Sequence, residues 1–170
     1  MRSLIAACLL GVVSTVGARP AAAADPTIGG TIAAAVGPTN GTCAARSVAR
    51  GTRHPVDISG TFTDTGGHSW SITIIGCGTT IPRTGGWRIR ARITLHSTLG
   101  TLSGTGPGGA TFFGGSDLGL LEYYEISVVG SDGLSSVRRG RVHVELQVPF
   151  GAAQFTGSVT ASLPGCTVCS

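Results

Sequence analysis

From Val56 onward, apolar and polar side chains take turns along the chain, the period of a strand with one dry and one wet face. The clearest run is Trp87 to His96, where Trp87, Ile89, Ala91, Ile93 and Leu95 alternate with Arg88, Arg90, Arg92, Thr94 and His96. Arg141 to Val148 and Gln154 to Leu163 repeat the pattern. Ile58 to Asp64 and Trp70 to Ile75 follow it too, flanking Thr65-Gly66-Gly67-His68, a short connection expected of a hairpin. Tyr123 to Val129 adds a strand with Tyr124, Ile126 and Val128 on one side. Thr27 to Val36, Ala44 to Ala49, Thr98 to Leu102 and Ala110 to Phe113 are weaker candidates, which brings the expected total to about eight to ten strands. Turn signals stand at Thr84-Gly85-Gly86, Gly106-Pro107-Gly108-Gly109, Gly114-Gly115-Ser116-Asp117 and Ser131-Asp132-Gly133. No segment carries helical spacing beyond a brief turn within Ser116 to Glu125, so the crossovers of a parallel sheet are missing. The expected fold is all-β: an antiparallel β-sandwich or a small meander β-barrel, since amphipathic strands must pair face to face or close to bury their apolar sides.

The first 24 residues read differently. Met1-Arg2, the apolar stretch Leu4 to Val16 and the small residues Ala21-Ala22-Ala23-Ala24 have the layout of a signal peptide, and cleavage after Ala24 leaves 170 − 24 = 146 residues. Ile5-Ala6-Ala7-Cys8 is a weaker match to a lipoprotein box. Residues 25–38 then form a flexible lead-in with at most one strand, and 39–170 a single all-β domain. No later apolar run has the roughly 18 residues of a membrane span, so the mature chain is expected to be secreted, with no stable insertion in a membrane. Loss of Arg2 and Arg19 lowers the net charge from +4 to 10 − 8 = +2, too slight to argue for nucleic acid. The chain has no Lys, consistent with a GC-rich, actinobacterial source. Asn40-Gly41-Thr42 formally matches a glycosylation sequon but is read as a turn before a strand.

Four cysteines remain in the mature chain: Cys43, Cys77, Cys166 and Cys169. In an oxidising compartment they imply two disulfides, with the pairing open and the C-terminal tail expected to be pinned to the body near Cys43 and Cys77. A redox or zinc role for Cys166-Thr167-Val168-Cys169 is disfavoured, because the chain ends one residue later with no helix behind the pair.

Catalytic motifs are sparse. Gly67-His68-Ser69-Trp70-Ser71 has Ser where a nucleophile elbow needs its last Gly. His54, His68, His96 and His143 have no metal-binding spacing, so no metal or other cofactor is expected; His96 and His143 fall on wet faces. Among Asp57, Asp64, Asp117, Asp132, Glu122, Glu125 and Glu145, Asp64 stands out, because the alternation that buries Ile58 and Phe62 points it inward, beside a turn it could cap. Arg88, Arg90 and Arg92 make a basic stripe suited to anions, or one that pairs across strands with Glu122, Glu125 or Glu145; Arg138, Arg139 and Arg141 make a second cluster. Asp64, Trp70 and Tyr124 are the residues expected around any internal cavity.

Ile58-Ser59-Gly60-Thr61-Phe62-Thr63-Asp64 followed by Gly67-His68-Ser69 resembles the opening strand and turn of avidin-like secreted barrels. That family builds its pocket from several tryptophans on later strands, which this chain lacks, and biotin binding is not carried over. The two-bridge plan also resembles the Ig-like actinobacterial enediyne carriers, with different cysteine spacing. The functional expectation is therefore a secreted, non-catalytic protein that recognises a small ligand, a glycan or an extracellular partner through a rim of loops or the Arg88/Arg90/Arg92 face. The alternatives are an inhibitor presenting a bridge-held loop to an extracellular enzyme, and a barrel hydrolase or isomerase.

Overall fold

The structure, a computed structural model, describes residues 25–37, 43, 47–48, 51–113 and 118–169. The leader, the sequon and the turn at 114–117 lie outside them. Nine strands follow one another: β1 Thr27–Val36, β2 Ser47–Val48, β3 Gly51–Thr63, β4 Ser69–Thr80, β5 Trp87–Ser97, β6 Gly100–Phe113, β7 Gly119–Ser131, β8 Gly140–Pro149 and β9 Gln154–Ser162. From β3 to β9 each strand pairs antiparallel with the next. β1 pairs with β9 from Thr27↔Ser162 to Ala35↔Gln154 and with β3 from Ala33↔Thr61 to Val36↔Ile58. These two seams close β1 and β3–β9 into an eight-stranded meander barrel, with β2 as a short flap on β3. Closure decides between the two expected architectures in favour of the barrel and leaves no long strand edge bare.

Residues 27–36, a weaker strand candidate in the sequence, form the strand that closes the barrel. Their small side chains carry a weak pattern, but Ile28, Ile32 and Ala34 face the interior and are buried. A difference from the sequence expectation lies in β6. Gly106-Pro107-Gly108-Gly109 is not a turn but the middle of a strand. Its inward glycines are small because β7 fills their space: a Cβ on Gly108 would stand 2.6 Å from the Tyr124 ring. Nor does any helical turn occur at 118–125, where β7 runs extended with Leu120, Glu122 and Tyr124 inward.

One end of the barrel is plugged. A single 3-10 turn, Asp132–Leu134, follows β7. It folds Leu134 and Val137 inward beside Leu163, all three fully buried. The Gly130 N–H donates to Val137 O at 2.8 Å, closing the plug on itself, and Leu163 N–H to Pro26 O at 2.8 Å, tying the end of β9 to the start of β1. Trp70, stacked with Phe62 at 6.1 Å between ring centroids, completes this layer of the core.

The disulfides are Cys43–Cys77 and Cys166–Cys169. The tail is thus not bridged to the body: Cys166 and Cys169 close a tight loop on themselves, held on the plug because Cys166 packs in the core. Cys43–Cys77 instead anchors the segment before β2 to β4. Two intact bridges suit an oxidising, extracellular environment.

Candidate functional site

The six residues singled out from sequence fall in three separate places. Asp64 and Trp70 sit at the plugged end. The Asp64 side chain is only 2 % exposed. It accepts the His68 backbone N–H at 2.8 Å and the Trp70 indole N–H at 2.9 Å, and both carboxylate oxygens lie 3.2 Å from His68 Nδ1. Burial works against charge on this carboxylate, but the bonds from Trp70 and His68 outweigh it and hold its pKa below the ordinary value. Asp64 therefore caps the β3–β4 turn and satisfies a buried tryptophan. Its bonds are to His68 and Trp70 at the plugged end, not to Tyr124.

Arg88, Arg90 and Arg92 stand exposed on the outer wall of β5. Their neighbours across the strands are Thr79, Cys77 and Ile75 on β4 and Gly109, Pro107 and Thr105 on β6, so the expected carboxylate partners are not there. Glu125 and Glu145 belong to another outer-wall group: His143 Nδ1 lies 2.5 Å from Glu125 Oε1 and its Nε2 3.1 Å from Glu145 Oε1. Partial burial opposes the charge on His143, yet the two glutamates prevail and raise its pKa. His143 is thus a paired side chain rather than a merely solvated one.

Tyr124 leads to the third place, inside the barrel. Its hydroxyl donates to Glu122 Oε2, two residues along the same inward face. Glu122 is 4 % exposed, and it is turned inward by the parity that places Tyr124 there. Burial raises the pKa of Glu122, only partly offset by the bond from Tyr124. Burial, then the charge and bond of Glu122, push Tyr124 well above the ordinary tyrosine value. Among the described residues no arginine or histidine pairs with Glu122.

Glu122 borders a cavity of about 260 Å³ at the end opposite the plug, walled by Val36, Val56, Ile58, Trp87, Leu120, Val148, Phe150 and Phe155. His54 stacks on Trp87 with centroids 4.4 Å apart, and its Nε2 lies 2.9 Å from Thr80 Oγ1. Around the same end, Val36, Phe112, Leu118 and Phe150 are exposed, and Phe112 meets Phe150 edge to face. A pocket with apolar walls and few convergent polar groups has the make-up of a small-molecule site, although its volume falls just below the usual range for such sites. No group of three His, Cys, Asp or Glu side chains suited to a metal occurs among the described residues. Comparison with protein-family models, with curated proteins and with solved structures finds no match to this chain.

Proposed function

We propose that the protein is a secreted, non-catalytic binding protein that holds a small, mainly apolar ligand in the unplugged end of its barrel. One observation carries this reading: an apolar cavity with a single inward carboxyl, Glu122, in a barrel whose other end is filled by Leu134, Val137 and Leu163. An eight-stranded barrel is just wide enough either to fill itself with side chains or to keep room for one small guest. The rigid sheet favours binding, because a cavity formed in advance spares the ligand the cost of ordering its walls.

A barrel isomerase or hydrolase is the second reading, favoured by the hydrogen-bonded Glu122–Tyr124 pair, which could pass a proton to a bound substrate. It calls for turnover as well as binding.

Calorimetric titration with 2-phenylethanol tests the binding reading. A guest of this size is expected to bind with a Kd on the order of 0.1–1 mM. Val148→Trp, which fills the cavity mouth, should weaken binding about tenfold or more. Reversing the charge of Arg88, Arg90 and Arg92 together should leave it unchanged. Absence of binding by 2-phenylethanol, indole and cyclohexanol, or equal binding by Val148→Trp, overturns the reading.

A further inference from the structure

Resting on the binding reading, we propose that the ligand is an amphiphilic amine whose ammonium group meets the Glu122 carboxylate while its apolar body lies against Trp87 and Phe155. The charges at this end of the barrel point that way. Glu122 is buried, and its hydrogen-bond partner among the described residues is a neutral phenol, Tyr124, which donates to it. A carboxylate in an apolar enclosure is costly until a cation joins it. Of the other titratable groups near this end, Asp57 borders the cavity and His54 stacks on Trp87, whereas Arg53, Arg83 and Arg88 are exposed and do not border it. The parts of β1, β5, β8 and β9 that border it contribute apolar or uncharged side chains. The charged side chains that border the cavity are thus two carboxyls, Glu122 and Asp57, complementary to a cation and opposed to an anion. Trp87 adds an aromatic face, which attracts a cation as well as a hydrocarbon. Tyr124 already occupies one carboxylate oxygen as a donor, so what the carboxylate offers a guest is acceptor capacity, which an ammonium fills and a second carboxylate cannot.

The test is a comparison of three probes of one shape, 2-phenylethylamine, 2-phenylethanol and phenylacetate, by calorimetry from pH 5 to pH 8. The amine is expected to bind about tenfold tighter than the alcohol at pH 8, as a hydrogen bond to a charged partner predicts, and phenylacetate weakest. Because a buried carboxyl must release its proton to pair with an ammonium, amine affinity should rise with pH while alcohol affinity changes little. Glu122→Gln should remove the amine's advantage yet keep alcohol binding. His54→Gln, which removes the imidazole stacked on Trp87, should keep the advantage at pH 8. Alcohol binding with no preference for the amine, or a preference that survives Glu122→Gln, overturns the amine assignment and leaves the cavity reading standing. If none of the probes binds, the cavity reading falls and this assignment with it. Should Glu122→Gln fail to fold, the ranking of the three probes on the native protein decides.

Discussion

Replacing Asp64 with Ala tests how the plugged end is held. Three contacts are lost: the His68 backbone N–H at 2.8 Å, the Trp70 indole N–H at 2.9 Å and the His68 ring at 3.2 Å. Trp70 is 1 % exposed, so its indole N–H is left without a partner and without water. An orphaned buried donor costs about 1–3 kcal/mol, and the charge-assisted bond that caps the turn adds about 1–2 kcal/mol. The half-exposed His68 ring contact adds little, since solvent screens it. The total is about 2–5 kcal/mol, equivalent to a fall in Tm of about 4–20 °C for a chain of this size. Urea unfolding at pH 7 measures it directly. Asp64→Asn, which keeps one carbonyl acceptor for the indole, should recover part of the loss. Since the pKa of Asp64 is lowered by folding, its stabilisation is present above the ordinary value near 3.8 and disappears as pH falls through the folded value. The acid side of the native stability curve should therefore be steeper than that of either variant. A loss below about 1 kcal/mol for Asp64→Ala would refute the network.

Glu122 behaves in the opposite sense. Its folded pKa is raised above 4.5, so native stability should decline as pH climbs from there through the folded value, and Glu122→Gln should flatten that decline in urea titrations at several pH values. Replacing Cys43 and Cys77 together with Ala opens a loop spanning 34 residues and should cost about 4 kcal/mol by chain entropy, against about 2 kcal/mol for the pair Cys166 and Cys169, separated by 3. Gly108→Val should collide with the Tyr124 ring, costing about 1–3 kcal/mol and weakening ligand binding, whereas Gly67→Ala at the exposed β3–β4 turn should cost stability through its φ of 84° alone and leave binding intact.

Most of the wall was legible from alternation. Trp87 to His96 reads as a strand because its inward residues are large and its outward ones charged, and it is β5 almost end to end. Alternation alone does not distinguish a closed barrel from two packed sheets, because both bury one face of each strand. That choice hangs on β1, whose Gly and Ala side chains give little contrast between faces. The glycines of β6 misled for a related reason. Gly is read as punctuation, yet Gly106 and Gly108 serve as space for Ile126 and Tyr124. Asp64 was legible as an inward carboxylate beside a turn, and capping is what it does. Glu122 was legible by the same parity argument, as it lies two residues before the inward Tyr124, but its charge made an outward ion pair the natural expectation. The split of the candidate residues between two ends and an outer wall follows from strand length and register, which local pattern does not carry.

The central claim is that the cavity beside Glu122, at the end away from the plug, is where this protein binds. Amide and indole chemical-shift mapping during titration with 2-phenylethanol tests it most directly. Saturable shifts should gather at Leu120, Glu122, Val148, Phe155 and the Trp87 indole, with the Trp70 indole unmoved. Shifts centred on Arg88–Arg92 or on Asp64 and Trp70, or no saturable shift at all, would contradict it.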